Sequence, residues 1–190
     1  MKTKLALILV FLLTGISASL QQIARAQSKP SNETFSGTVI GFGAGGNTVN
    51  RGFTLTIEGY TSDAEARRFS RILKSKGQDG LLKALTKGKK GTFALVGELG
   101  RDVNAVRVHE TPTGKLYTIV FERWLHFFEL RYGTRSEDYP FTYIELHVDE
   151  KGIGGTLLPA AKIRFNKQNM VEIENFGIYP ARLVDVKRES

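Results

Sequence analysis

The sequence predicts an α+β domain made mostly of antiparallel strands: a strongly bent sheet or partly closed barrel of about nine strands, with one helical pair at residues 62–87. Short segments in which apolar and polar residues alternate recur along the chain, and turn residues separate them. Only one stretch changes to helical spacing. Because no helical stretch separates the later strands, we expect them to be antiparallel neighbours joined by short turns.

The first residues are typical of a secretory signal peptide. Lys2 and Lys4 precede an apolar run at residues 5–13, and Ala24 and Ala26 form an A-x-A cleavage pattern. The apolar run is well short of the roughly 20 residues that cross a bilayer. We therefore expect residues 1–26 to be removed, although a cut near Ala18 also fits. The mature protein is expected to be exported, periplasmic or secreted, with no transmembrane segment.

The composition narrows the function classes. The chain has no cysteine, which argues against disulfide scaffolds, thiolate catalysis and cysteine-based metal sites. Its net charge of +8 comes from 27 bases and 19 acids, and residues 1–26 hold three of those bases and no acid. Residues 62–90 alone carry nine bases and three acids. Since the rest of the mature chain is nearly neutral, the charge indicates a local basic feature, and nucleic acid is not an expected partner.

The mature chain is expected to fold as one domain. Residues 27–33 are polar and predict a disordered N-terminus, followed by a single β-rich domain at residues 34–190. Alternation predicts two strands, at residues 35–40 and 53–58, on either side of a glycine-rich loop. Later strands, each bounded by turn residues, are predicted at residues 92–98, 103–110, 115–123, 125–132, 141–149, 155–165, 170–175 and 181–187.

The helical pair carries start and stop signals. Ser62 and Glu65 match a capping box, in which the Ser62 side chain accepts from the Glu65 backbone and the Glu65 side chain reaches back. Gly77 is placed to take the left-handed conformation that ends a helix. A second short helix is predicted from Asp79, and Gly88 ends it. The apolar residues of the pair are Ala66, Phe69, Ile72, Leu73, Leu81, Leu82 and Leu85.

One hairpin can be predicted to its register. Lys162 and Arg164 alternate with apolar residues in one strand, as Glu172 and Glu174 do in the next. A three-residue loop at residues 167–169 sets Arg164 opposite Glu172 and Lys162 opposite Glu174, with Asn169 in the left-handed bulge position. A slip by one residue would set charges opposite apolar residues, so the charge pattern favours this register.

Several short motifs carry a resemblance to a known group of proteins. They are Arg123-Trp124, Phe127-Phe128-Glu129-Leu130-Arg131, Asp138-Tyr139-Pro140-Phe141, Pro159-Ala160-Ala161-Lys162, Ile173-Glu174-Asn175 and Arg182-Leu183. With them the chain resembles a family of small exported proteins of uncharacterised function from bacteria of the acidobacterial type. The resemblance implies an exported bacterial domain, and it transfers no functional residue.

Three residues are weak candidates for catalysis: His126, Glu145 and His147. On a strand, Glu145 and His147 share a face, and His126 could approach them if its strand is a neighbour. Two imidazoles and a carboxylate could hold zinc or act as a general acid–base set. No H-E-x-x-H spacing supports a metal, so we expect neither a metal nor a cofactor. The alternative interpretation is that these side chains have only local partners.

Aromatic residues are dense between residues 124 and 143. Two interpretations are open, since such residues either pack a core or line a groove for a sugar, peptide or lipid. The residues of the predicted ligand groove are Trp124, Tyr132, Phe141 and Tyr143, with Arg123 and Arg131 as binders of a carboxylate or phosphate. The alternative for the two arginines is pairing with acids nearby in the sequence, which are Glu122, Glu129, Glu137 and Asp138.

The basic residues of the helical segment form the predicted anionic-surface site. They are Arg67, Arg71, Lys74, Lys83, Lys87, Lys89 and Lys90. A basic helix face can adsorb to anionic lipid or polysaccharide, and the alternative is a solvated face without a partner. The leading hypothesis is a non-enzymatic exported envelope protein that binds a ligand or an anionic surface. The alternative is a periplasmic enzyme with metal-assisted or acid–base chemistry at His126, Glu145 and His147.

Overall fold

The computed structural model describes residues 32–42, 48–123, 138–176 and 179–189. Its elements in chain order are β1 (Glu33–Phe42), β2 (Thr48–Ile57), α1 (Asp63–Leu85), β3 (Gly91–Leu95), β4 (Arg101–Val103), β5 (Ala105–Thr111), β6 (Gly114–Glu122), β7 (Phe141–Asp149), β8 (Gly152–Phe165), β9 (Val171–Asn175) and β10 (Ala181–Glu189). The predicted α+β class with mostly antiparallel strands is confirmed. The predicted strand at residues 125–132 lies outside the described residues.

The strands form one antiparallel sheet that nearly closes into a barrel. Its order is β4-β3-β2-β1-β10-β8-β7-β6-β5, and β9 pairs with β8 outside this path. The two ends of the order, β4 and β5, are consecutive in the chain and are separated only by Asn104. The segment from β4 to β5 therefore pairs with two strands: its β4 part pairs with β3, and its β5 part pairs with β6. The sequence predicts a single strand in this segment, at residues 103–110.

Asn104 connects the two edges of the sheet. Its side chain is 5% exposed, its Nδ2 donates to the carbonyl of Gly88 at 2.9 Å, and its Oδ1 accepts from the backbone N–H of Glu122 at 3.1 Å. A buried amide that satisfies two backbone groups is stabilising, because either group left unpaired in the interior would cost free energy.

The interior of the barrel is filled by side chains. Phe35, Leu55, Ile57 and Ile119 are completely buried there, and Tyr117 is 1% exposed. Aromatic rings pack in a row, with 5.7 Å between the centroids of Phe53 and Phe93 and 5.6 Å between those of Phe93 and Phe121. The interior of this small barrel is therefore a packed core, as it is in other barrels of about eight strands.

The helix covers part of the outer face of the sheet and creates a second apolar cluster. Its buried residues Leu73, Leu81 and Leu85 pack with Phe141, Tyr143, Ala161 and Ile163. The capping box at Ser62 and Glu65 is present, as the sequence predicts. Gly77 has φ 66° and ψ −166°, so the predicted pair is one helical element broken at that residue. The break lets both halves direct apolar residues at the same part of the sheet.

The β8–β9 hairpin has the predicted register. Arg164 is opposite Glu172 and Lys162 is opposite Glu174, and Asn169 has φ 59°. At the other end of the chain, β1 begins at Glu33, which the sequence places in the disordered N-terminus. Glu33 is 6% exposed, because it faces the barrel interior.

Candidate anion-binding surface

The two acids in the first turn of α1 are paired with bases that lie outside the helix. The guanidinium of Arg107 on β5 lies 2.8 Å from the Asp63 carboxylate and also donates to the carbonyl of Thr61. The ammonium of Lys90 lies 2.9 Å from the Glu65 carboxylate. These pairs neutralise the acids of the first turn, so they do not offset the bases that follow them in the helix.

Those bases form an exposed face, which we call the basic face: Arg67, Arg68, Arg71 and Lys74. Arg67, Arg71 and Lys74 follow the i, i+4, i+7 spacing of one side of a helix. None of the four has an ion pair within the part of the chain that the structure describes. The face is therefore a local concentration of uncompensated positive charge.

The other predicted surface bases divide into two groups. Lys83 and Lys87 are exposed, and no ion pair involves them among the described residues. Lys89 is 3.0 Å from Asp102, and this hydrogen bond raises the pKa of the lysine. Lys90 is paired with Glu65. Two of the seven predicted residues thus serve contacts within the fold, and five remain open to an external anion.

A groove lies where the helix is broken, and we call it the Gly77 groove. It has a volume of about 360 Å³ and runs between α1 and the β8 strand. Its lining residues are Leu73, Lys74, Gly77, Gln78, Lys162, Ile163, Arg164 and Phe165. Sequence reasoning finds the glycine break and the hairpin separately, but no local pattern indicates that the hairpin packs beside the break.

The basic residues of the Gly77 groove differ in whether they are already paired with acids. Arg164 is matched by two carboxylates, at 3.4 Å from Glu172 and 3.3 Å from Glu174. Lys162 has its ammonium 5.8 Å from the centroid of the Tyr139 ring, a weak cation–π contact. Lys74 and Lys162 have no carboxylate partner among the described residues. Among the described residues that line the groove there are three bases and no acid, although Glu172 and Glu174 lie close to Arg164.

The predicted ligand groove is divided by the structure. Phe141 is completely buried and Tyr143 is 8% exposed, and both pack against α1 and its neighbours. Arg123 is 8% exposed, and its Nε donates to the carbonyl of Tyr139 at 2.6 Å. For Phe141 and Tyr143 the core alternative describes their surroundings, and Arg123 makes a contact within the fold. Trp124, Arg131 and Tyr132 lie outside the described residues.

The candidate catalytic residues are only partly described. Glu145 and His147 share the outer face of β7, and His147 is exposed. The hydroxyl of Tyr143 donates to Glu145 at 2.6 Å, and burial together with this hydrogen bond raises the pKa of Tyr143. His126 lies outside the described residues, and the described ones include no group of three side chains able to hold a metal ion. Catalysis by this set stays a prediction.

Comparisons with family models, with curated proteins and with solved structures found no significant match. Among the described residues, no helix has both the length and the apolar character to cross a membrane.

Proposed function

We propose that the protein is an exported, non-enzymatic envelope protein that adsorbs to an anionic surface through the basic face of α1. The observation that carries the proposal is the pairing of Asp63 with Arg107 and of Glu65 with Lys90. These contacts pair the nearest acids with bases outside the helix, and the basic face stays exposed beside them. A phospholipid surface is the partner we favour, because a basic helix face is attracted to anionic lipid head groups.

The mode of adsorption follows from the packing of the helix. An amphipathic helix that lies in a membrane interface buries its apolar side among the lipids. In this protein Leu73, Leu81 and Leu85 are buried against the sheet, so that side is not available. Adsorption would therefore be electrostatic, and the four bases would contribute about 1 kcal/mol each near an anionic surface. A total of about 4 kcal/mol corresponds to a dissociation constant near 1 mM.

Co-sedimentation with vesicles tests the proposal. We expect the full mature chain to bind vesicles of mixed phosphatidylglycerol and phosphatidylcholine and to be released by salt, since surface charges are screened within about 8 Å at physiological ionic strength. The variant Arg67→Glu/Arg71→Glu/Lys74→Glu should lose this binding. The control Lys151→Glu/Lys167→Glu/Lys187→Glu changes the net charge equally at exposed lysines outside α1 and should retain most of it.

The outcomes separate the alternatives. Equal losses in both triple variants would show that only the net charge matters, and unchanged binding in the α1 variant would contradict the proposal. An anionic polysaccharide, added in solution as a competitor of the vesicles, tests the other class of partner. If the polysaccharide binds the protein with the same dependence on α1 and vesicles do not, the surface is a glycan rather than a lipid.

A further inference from the structure

The exposed large apolar side chains of the described residues lie at one end of the barrel. Because neighbouring strands are antiparallel, β1, β3, β6 and β8 run toward that end and the other strands run away from it. Ile40 lies near the end of β1. The other such residues lie in three connections at the same end, and we call them the apolar rim: Val96 and Leu99 between β3 and β4, Met170 and Val171 at the turn into β9, and Phe176 and Tyr179 between β9 and β10.

The opposite end of the barrel is polar. Pro112 and Thr113 form the turn between β5 and β6, and Glu150 and Lys151 are exposed between β7 and β8. Within the described part of the chain, no large apolar side chain is exposed at that end. Single exposed apolar side chains are ordinary on protein surfaces, but their restriction to one end is typical of a docking surface.

Two of the rim turns provide hydrogen-bond partners for their own backbone. In the β8–β9 turn, Oδ1 of Asn166 accepts from the backbone N–H groups of Gln168 at 3.0 Å and of Met170 at 2.9 Å. In the β3–β4 turn, Arg51 donates to the carbonyl of Val96 at 2.6 Å. Backbone groups that are satisfied within the protein leave water at a lower free-energy cost, so these turns are suited to an apolar surrounding.

The acids that adjoin the rim residues are matched by bases of the fold. Glu98 forms an ion pair with Arg51, which lies across the β3–β4 turn. Glu172 and Glu174 of β9 both lie close to Arg164. These carboxylates therefore add little net negative charge to the rim.

Two bases beside the rim have no such match. Lys167 is exposed in the β8–β9 turn, and Arg182 is exposed opposite Ile40 in the β1–β10 register. Neither has an ion pair among the described residues. The acids Glu122 and Asp138 are at the same end, but they border the connection between β6 and β7, outside the three rim connections. The rim connections thus combine apolar side chains with uncompensated positive charge.

The helix that carries the basic face lies beside this end of the barrel. Its apolar residues pack on Phe141, the first residue of β7, and on Ala161 and Ile163 in the last part of β8. These are the parts of the two strands nearest the rim. A surface that meets the rim is therefore also close to α1.

We propose that the apolar rim enters the interface of a phospholipid bilayer, with Lys167 and Arg182 at the level of the phosphate groups. The inference rests on the proposed adsorption to phospholipid, and it adds an apolar contact and an orientation of the barrel. The rim residues are divided among three connections. A fluid lipid surface accommodates separate side chains, whereas a protein partner requires one complementary surface. Tyr179 is a residue type that concentrates at membrane interfaces.

Fluorescence from single labelled sites tests the insertion, because the chain has no cysteine of its own. A nitrobenzoxadiazole label at Leu99→Cys or Met170→Cys should gain intensity and shift to shorter wavelength when vesicles of phosphatidylglycerol and phosphatidylcholine are added, since the label leaves water. The same label at Thr113→Cys or Lys151→Cys, at the opposite end, should change little.

A rim variant tests the contribution to affinity. Val96→Ser/Leu99→Ser/Met170→Ser should bind vesicles about tenfold or more weakly, because apolar side chains no longer leave water. It should also lose the binding that remains at high salt, where surface charges are screened. The replaced side chains are exposed, so the fold should be retained, and circular dichroism checks this.

The outcomes separate this inference from the proposed function. Co-sedimentation of the wild type without a spectral change at residues 99 and 170 would overturn the insertion and leave the adsorption in place. Failure of both measurements would contradict both proposals. A spectral change that persists in Arg67→Glu/Arg71→Glu at high lipid concentration would support insertion independently of the basic face. If the labels respond to protein concentration alone and sedimentation velocity shows a dimer, the rim is an interface between copies and the lipid assignment is wrong.

Discussion

Glu65 and Lys90 form an ion pair that joins the first turn of α1 to the segment after its last turn. Oε1 of Glu65 accepts from Nζ of Lys90 at 2.9 Å, while Oε2 accepts from the backbone N–H of Ser62 at 2.8 Å. One carboxylate therefore caps the helix and anchors the chain that enters β3. Ser62 precedes the basic face in the sequence and Lys90 follows it. The two contacts of Glu65 therefore hold the part of the helix that carries the basic face.

Replacing Glu65 should separate these two contributions. Glu65→Ala removes the cap and the ion pair and should cost about 1–2 kcal/mol of unfolding free energy. Glu65→Gln should cost less, because an amide oxygen can still accept from Ser62 while the charge is lost. Urea denaturation measures both, with Glu150→Gln in an exposed turn as the control. A Glu65→Ala variant as stable as this control would contradict the assigned role.

The same carboxylate should make stability depend on acidity. Partial burial acts to raise the pKa of Glu65, but the hydrogen bonds from Ser62 and Lys90 outweigh it, so the pKa lies below its usual value of 4.5. A lowered pKa contributes stability that is present above the unfolded value and is lost as the pH falls through the folded one. The stability difference between wild type and Glu65→Gln should therefore be constant near neutral pH and shrink below about pH 4. A difference that persists undiminished in acid would contradict this linkage.

Asn104 should be sensitive to a change of one atom. Asn104→Asp replaces the Nδ2 donor by an oxygen, which faces the Gly88 carbonyl and brings a charge to a site that is 5% exposed. We expect a loss of about 2–4 kcal/mol at neutral pH. The loss should fall on acidification, because burial raises the pKa of the new carboxyl and its protonated form can donate again. Asn50→Asp at an exposed position of β2 is the control and should change stability by less than about 0.5 kcal/mol.

The approach of β8 to β7 should require glycine at residue 155. A Cβ atom on Gly155 would lie 2.1 Å from the carbonyl oxygen of Glu145, which is backbone and cannot move aside cheaply. Gly155→Ala should therefore destabilise the protein by about 1–3 kcal/mol. Gly59→Ala is the matched control, since nothing lies within 4 Å of its Cβ position, and it should be neutral or slightly stabilising. Equal thermal midpoints for the two variants would show that the strands can separate to admit a methyl group.

Local signals in the sequence predict local structure well in this chain. Three features each depend on residues a few positions apart: the capping box at Ser62, the helix break at Gly77 and the hairpin register at Arg164 and Glu172. Alternation also places Phe141 and Tyr143 on one face of a strand. It cannot say what covers that face, because the covering helix lies some 60 residues away in the chain. The closure at Asn104 and the Gly77 groove are unpredictable for the same reason.

Two buried phenols should make the protein sensitive to alkali. Burial, followed by the proximity of a carboxylate, raises the pKa of Tyr117 near Glu33 and of Tyr143 near Glu145 well above the usual value of 10.0. A raised pKa contributes stability that is complete below the unfolded value and is lost as the pH rises toward the folded one. Unfolding free energy should therefore fall with increasing pH above about pH 10.

The variant Tyr117→Phe/Tyr143→Phe tests this linkage. At neutral pH it should be less stable than wild type by about 1 kcal/mol for each hydroxyl, because each carboxylate loses a polar neighbour. Above about pH 10 the wild type must keep both phenols protonated or unfold, whereas the variant carries no such cost, so the difference should narrow and then reverse. Urea denaturation across the alkaline range measures the two curves, and the single variants apportion the effect between the barrel interior and the helix-covered face. Parallel curves for wild type and the double variant would show that neither phenol is held protonated by the fold.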